Sequence, residues 1–170
     1  VQIEYPDQIP QQVLQIQQEG SVSDIYFCGA SLLHQSKLAV RFYFAAPNGV
    51  EGYSFQVGET TYDAICDDGK YYLDITGIHP NAYADVITLV VAKGAETMSI
   101  GYSPMHYITR MYHKEGSSQE LKNLLTAMYG FYLATDSTNY TVASGSVLLF
   151  NSGYETSDKY VVWSGSIEAL

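Results

Sequence analysis

The stretch 38–44 reads Leu-Ala-Val-Arg-Phe-Tyr-Phe, with an apolar side chain at every even-numbered position. In an extended chain, positions 38, 40, 42 and 44 face one side, while positions 39, 41 and 43 face the other. Strict alternation of this kind predicts a β-strand with one buried face. Pro47, Asn48 and Gly49 follow and predict a turn. The fold is therefore predicted to be built around a sheet that contains this strand.

Further strands are predicted on both sides of it. Residues 25–33 form an apolar run before it, and the alternation resumes at positions 53, 55 and 57. Asp68-Gly69, between the runs 61–66 and 70–75, predicts a hairpin because glycine accepts positive φ. Residues 86–92 are apolar apart from Thr88, which predicts a strand covered on both faces. With the alternating run at 98–102, we expect about seven strands.

At Ser103-Pro104 the apolar spacing changes to that of a helix. Ser103 is a suitable N-cap and Pro104 suits the first helical position. Gly116 ends this helix, and Ser117 or Ser118 can cap a second one. The second helix carries an apolar stripe at Leu121, Leu124, Leu125, Met128 and Tyr132.

We therefore predict an α+β fold in a single domain: an Ig-like antiparallel β-sandwich with a helical hairpin packed on it. Residues 1–24, with Pro6 and Pro10, are expected to be an edge strand or an incoming linker. Residues 25–103 form the β-sandwich, 104–133 the helical hairpin and 141–170 a C-terminal β-hairpin. The helices must bury their stripes, and within one chain the sandwich offers the only large surface for that purpose.

The composition excludes several partners. The chain has 170 residues, 18 Asp and Glu against 8 Lys and Arg, and a net charge of −10. Such a charge repels phosphate backbones and anionic lipid, so nucleic-acid binding is not expected. No run approaches the roughly 20 apolar residues of a membrane span, so no membrane insertion is expected. The sequence begins at Val1 rather than at a methionine, which suits either a processed product or a segment of a longer polypeptide, and we expect the segment.

No motif of a catalytic, metal or cofactor site occurs. The sequence has no nucleophile elbow, no His-x-x-x-His, no Cys-x-x-Cys and no phosphate-binding glycine loop. We therefore predict no catalytic residue, no metal and no cofactor. The four histidines are interpreted as structural, and the acidic pair 67–68 as a solvated turn. The remaining acidic residues of interest are expected to be surface charges: Glu51, Asp63, Asp74 and Asp85.

Cys28 and Cys66 leave two alternatives open. On neighbouring strands of an exported protein they could form a disulfide, which in the chain-entropy model contributes about 3–4 kcal/mol. Otherwise they are two separate, small, buried hydrophobic residues.

The sixteen tyrosines are the most unusual feature of the composition. Tyrosine can stack on sugars or fill a protein interface, but it is also a good strand former that covers sheet surfaces. Our candidates for ligand binding are Tyr71 and Tyr72, which follow the predicted turn and point to opposite faces, and Trp163, the only indole.

Several short motifs in this order resemble a known module. They are Cys28-Gly29-Ala30-Ser31-Leu32, the run 38–44, Asp68-Gly69-Lys70-Tyr71-Tyr72, Ile78-His79-Pro80, Tyr102-Ser103 with Tyr107, and the helical run Leu-Lys-Asn-Leu-Leu-Thr-Ala-Met-Tyr-Gly at 121–130. Over residues 25–140 the chain resembles an uncharacterised β-rich module of large cell-surface and secreted proteins of anaerobic Firmicutes. That pattern usually stops soon after the second helix, so residues 141–170 depart from it.

The resemblance implies an extracellular or cell-surface location and a multi-domain setting, but no activity. We expect a non-catalytic module with an adhesion, spacer or domain-packing role. The alternative is a carbohydrate-binding module that uses exposed tyrosines, and the third hypothesis is a glycan-active enzyme. The expected partners are other domains of the same polypeptide, a surface protein or a neutral polysaccharide, because the acidic surface disfavours polyanionic glycans.

Overall fold

The computed structural model of the chain describes residues 9–34 and 36–136, together with the backbone of two later strands. The elements in chain order are β1 Gln17–Gly20, β2 Tyr26–His34, β3 Leu38–Ala45, β4 Ser54–Val57, β5 Thr60–Tyr62, β6 Ile65–Asp67, β7 Lys70–Ile75, a 3-10 turn Pro80–Ala82, β8 Ile87–Lys93, β9 Glu96–Tyr102, α1 Pro104–His113, α2 Gln119–Ala134, β10 Leu148–Asn151 and β11 Tyr160–Trp163.

Strands β1 to β9 form two antiparallel sheets. The five-stranded sheet has the order β1-β9-β8-β4-β5, and the four-stranded sheet has the order β2-β3-β7-β6. If β2 to β9 are labelled A, B, C, C′, D, E, F and G, these orders are the ABED and GFCC′ sheets of an Ig-like sandwich. Strand β1 is an addition beside β9. The predicted α+β sandwich is confirmed, with nine strands in its two sheets rather than about seven.

The core lies between the sheets, where β3 has the predicted alternation. Val40, Phe42 and Phe44 are fully buried. Phe42 meets Tyr102 of the opposite sheet with ring centroids 6.4 Å apart, and Phe44 meets Phe55 at 5.6 Å. These aromatic contacts join the two sheets and add to the free energy gained by burying apolar surface.

Two strand predictions were wrong in detail. The run 61–66, predicted as one strand, is divided between β5 in one sheet and β6 in the other. Local periodicity does not reveal which sheet a strand joins. The sequence pattern therefore did not show that the chain passes from one sheet to the other between Tyr62 and Ile65. The run 86–92 is covered on one face only: Leu89 and Val91 are buried, whereas Val86, just before β8, is 53% exposed.

The local turn and cap predictions are confirmed. Asp68 and Gly69 have φ values of 48° and 78° and connect the paired residues Asp67 and Lys70. The Ser103 side chain caps α1 with Pro104 in the first turn, and Ser118 caps α2. The predicted hairpin at β6–β7 is present, and the backbones of β10 and β11 pair antiparallel.

The helical hairpin packs on the sandwich as predicted. Leu125 and Met128 of α2 are buried in the same cluster as the sheet residues. At the end of β2, Nε2 of His34 lies 3.1 Å from Sδ of Met128. The N-terminal segment also joins this core, since Ile9 is buried and β1 pairs with β9.

Replacing Leu125 by Ala is expected to lower the free energy of unfolding by about 2–5 kcal/mol, because its side chain is fully buried. The neighbouring Leu124 is only partly buried, so Leu124→Ala should have a smaller effect and serves as the control. Urea midpoints measure both. A Leu125→Ala midpoint equal to that of the unmutated chain would contradict the docking of α2 on the sandwich.

Candidate functional site

The solvent side of the four-stranded sheet, called the outer face below, carries the side chains of β3 that point away from the core. Arg41 pairs across strands with Asp74, and Tyr43 pairs with Tyr72. Cross-strand partners project to the same side of a sheet. Ile65 of β6 pairs with Tyr72 and extends this row to the sheet edge.

A bidentate ion pair lies at the centre of the outer face. Nε and Nη2 of Arg41 donate to the two carboxylate oxygens of Asp74 at 2.7 and 2.8 Å. The guanidinium carbon lies 3.8 Å from the centroid of the Tyr72 ring, which is a cation–π contact. The Asp74 carboxylate and, after it, the Tyr43 hydroxyl raise the pKa of Arg41, although burial opposes them. The guanidinium is thus held by three neighbouring side chains.

Exposed apolar side chains flank this ion pair. Tyr26 on β2 pairs with Ala45 on the same side of the sheet and is 60% exposed. Ile65, on the opposite edge strand, is 51% exposed. Beside Tyr43, a Cβ atom placed on its β2 partner Gly29 would meet no other atom within 4 Å, so the sheet surface is open there.

The solvent side of the five-stranded sheet has a different character. Its central row consists of the cross-strand partners Glu19, Ser99, Val90, Gln56 and Thr61. This row has small or polar side chains and no aromatic ring, so the outer face of the four-stranded sheet is the better candidate for recognition.

The sequence-predicted ligand residues are separated by the structure. Tyr72 lies on the outer face, in contact with Arg41. Tyr71 points to the other side, where it packs against the core, and the nearby Cys66 thiol raises its pKa. Trp163 pairs with Leu148 through the backbone, but its side chain lies outside the described residues.

The disulfide between Cys28 and Cys66 is not formed, and both thiols are free and exposed. The condition of neighbouring strands is not met, because β2 and β6 are the two edges of the four-stranded sheet. Three strand spacings place them roughly 14 Å apart, whereas a disulfide requires Cα atoms within about 7 Å. The alternative of two buried residues is also wrong, since Cys28 is the extra residue of a β-bulge and is exposed.

A serine–histidine pair occurs at the start of α1. Oγ of Ser103 lies 2.6 Å from Nδ1 of His106, and Nε2 of His106 lies 3.1 Å from the Gln15 carbonyl oxygen. A carbonyl only accepts, so Nε2 carries the proton and Nδ1 accepts from the Ser103 hydroxyl. This resembles a nucleophile with its base. Ser103 is 0% exposed, however, and its oxygen also caps the helix, which makes the pair structural.

The same face of α1 holds the N-terminal segment. In addition to the His106 bond, the Leu14 amide donates to Oγ1 of Thr109 at 3.2 Å, and Nε2 of His113 lies 2.7 Å from the Pro10 carbonyl oxygen. Two of the four histidines, His106 and His113, therefore anchor this segment to α1. Every buried side-chain nitrogen or oxygen in the described part of the chain has a hydrogen-bond partner.

Sequence reasoning missed the Arg41–Asp74 pair and treated Asp74 as a surface charge. Glu51, Asp63 and Asp85 are exposed as expected, but Asp74 is half-buried and paired. The available signal was weak: both residues lie at the polar positions of alternating strands, but nothing local shows that those strands are neighbours.

No family model, curated protein or solved structure matches the chain. Across residues 9–34 and 36–136, no group of three or more His, Cys, Asp or Glu side chains could hold a metal ion. Over the same residues, no helix is long and apolar enough to cross a membrane.

Both thiols should react in the native, unreduced protein with a thiol-specific reagent, because each is exposed and unpaired. Titration should give two thiols per chain, and Cys28→Ser should leave one. Fewer than two reactive thiols in the denatured, unreduced chain would contradict the separation of β2 and β6.

The stability of the fold should fall as pH drops below about 6.5. Burial lowers the pKa of His34 and of His106, although for His106 the Gln15 carbonyl opposes the effect. The unfolded chain therefore takes up these protons first, and stability present above the unfolded pKa is lost in acid.

Urea midpoints at about pH 7.5 and about pH 5.5 measure this loss. His106→Gln should reduce the difference between the two midpoints, whereas His79→Gln, at an exposed position, should not. Equal pH dependence of the urea midpoint in the His106→Gln variant and the unmutated chain would contradict the claim that His106 contributes to the loss of stability in acid.

Proposed function

We propose that the chain is a non-catalytic module of an exported, multi-domain bacterial cell-surface protein and that it acts through its outer face in adhesion or domain packing. The observation that carries the proposal is the concentration of Tyr26, Tyr43, Tyr72 and Ile65 around a fixed ion pair on one sheet face. Solvent-facing aromatic and arginine side chains are enriched at recognition surfaces.

Two further observations support this role. The pair Ser103–His106 has the chemistry of a nucleophile and base, but its burial closes it to a substrate. The resemblance of residues 25–140 to a module of Firmicutes surface proteins supports the exported, multi-domain setting. The acidic net charge of −10 disfavours contact with anionic lipid or nucleic acid, which favours protein or neutral glycan as the partner.

Beads coated with the chain test the proposal by their retention on bacterial surfaces, mucus and matrix proteins. The double variant Tyr26→Ala/Ile65→Ser removes the two most exposed apolar side chains of the outer face. It should reduce retention at least about tenfold, since each lost anchor is worth roughly 1 kcal/mol or more at an interface.

The matched control is Val86→Ser/Thr88→Ala, which changes exposed positions associated with the five-stranded sheet. It should leave retention unchanged, and a panel of hydrolase substrates should show no turnover. Equal retention of the outer-face variant and the unmutated chain would defeat the proposal, as would turnover abolished by Ser103→Ala in a folded variant.

A further inference from the structure

We propose that the outer face binds a neutral saccharide chain, with Arg41 and Asp74 as the hydrogen-bonding centre and Tyr26 as a stacking ring. The inference rests on the proposed function, because it names the partner of the same surface. It follows from the arrangement of polar and apolar groups, from the charge state of the centre and from the open sheet surface beside Tyr43.

The centre of the outer face holds a charged pair, and its most exposed apolar side chains lie at the edges. Arg41 and Asp74, with Tyr43 and Tyr72 beside them, belong to the two central strands, whereas Tyr26 and Ile65 belong to the two edge strands. A protein interface has the reverse anatomy, with a charge-depleted apolar core and a polar rim. A sugar fits the observed order, because its hydroxyl groups need polar partners and its ring faces need aromatic ones.

The opposite charges of Arg41 and Asp74 at the centre of the outer face offset each other. Both carboxylate oxygens of Asp74 accept from Arg41, so the pair offers little net attraction to a charged ligand. A guanidinium has more N–H donors than this pair uses, and each carboxylate oxygen can accept a second hydrogen bond. Donors and acceptors therefore stand side by side, which suits hydroxyl groups that both donate and accept.

The same contacts fix these groups before a ligand arrives. The side chains of Arg41 and Asp74 are only 19% and 28% exposed, and the guanidinium is stacked on Tyr72. Pre-ordered groups lose little conformational freedom on binding, so weak hydrogen bonds to hydroxyl groups contribute to affinity.

The sheet surface beside Tyr43 is uncovered at its partner Gly29. A Cβ atom placed on Gly29 would meet no atom within 4 Å apart from its own chain neighbours. Tyr26 lies on the same strand as Gly29, and its partner Ala45 is two residues beyond Tyr43 and four beyond Arg41 on β3. At roughly 3.3 Å per residue, Arg41 lies about 13 Å along the strand from Ala45, so a saccharide chain of more than one ring is needed to stack on Tyr26 and also direct hydroxyl groups at Tyr43 and Arg41. The net charge of −10 favours neutral over polyanionic glycans.

Affinity electrophoresis and calorimetry with β-glucan, xylan, galactomannan and neutral mucin oligosaccharides test the proposal. The chain should be retarded by at least one of them. Tyr26→Ala should weaken that binding about tenfold, as expected for a lost stacking contact. Val86→Ala, at a similarly exposed apolar position away from the outer face, should bind like the unmutated chain.

Asp74→Asn gives a second readout that a merely structural role would not produce. It leaves the Arg41 charge uncompensated, so binding of the neutral glycan should fall while retention by a sulfated glycan rises. Urea midpoints of Tyr26→Ala establish that its loss of binding is not unfolding.

Binding of no neutral glycan, or equal binding by Tyr26→Ala and Val86→Ala, overturns the saccharide proposal. The bead assay separates this outcome from failure of the proposed function. If outer-face substitutions still reduce retention on enzymatically deglycosylated surfaces, the contact function stands and its partner is protein.

Discussion

The contact between Phe42 and Phe44 on one sheet and Tyr102 and Phe55 on the other is the constraint on which the rest of the structure depends. These rings must be buried together, so β3 has only one admissible orientation. A shift of one residue in its pairing would turn Arg41 and Tyr43 into the core and both phenylalanines into water. The position of the outer-face residues is therefore fixed by the core.

The same core fixes the helices. Tyr102 is the last residue of β9, and Ser103 caps α1 immediately afterwards, so the direction of α1 is set where the core ends. The Tyr102 ring lies 5.3 Å from that of His106, which in turn holds the Gln15 carbonyl. Burial of the Tyr102 ring raises the pKa of its hydroxyl, as expected for a side chain inside the protein. The contacts of Tyr102 and His106 thus link the N-terminal segment to the core, in addition to the pairing of β1 with β9.

Features that depend on residues close together in the sequence could be predicted from it. The turn at Asp68-Gly69, the caps at Ser103 and Ser118, the inner face of β3 and the two helices each have a local cause. The division of 61–66 between two sheets could not be predicted, because it depends on which distant strand is available for pairing. The same limit applies to Cys28 and Cys66 and to the Arg41–Asp74 pair, whose members are far apart in sequence and meet only through the β3–β7 register. Of the candidate site, Tyr72 was predicted, whereas its stacking partner Arg41 was not.

The ion pair at the centre of the outer face is poorly explained by stability alone. A partly exposed pair contributes about 1 kcal/mol or less, because desolvation and loss of side-chain freedom offset most of the attraction. Two apolar side chains at these positions would cover the sheet at least as well. They would, however, join Tyr26, Tyr43, Tyr72 and Ile65 into one continuous apolar surface, which on an open sheet promotes association. The pair interrupts that surface and presents oriented hydrogen-bonding groups in its place. Interruption of the apolar surface suits any face exposed to water, whereas oriented hydrogen-bonding groups suit the recognition role that we propose.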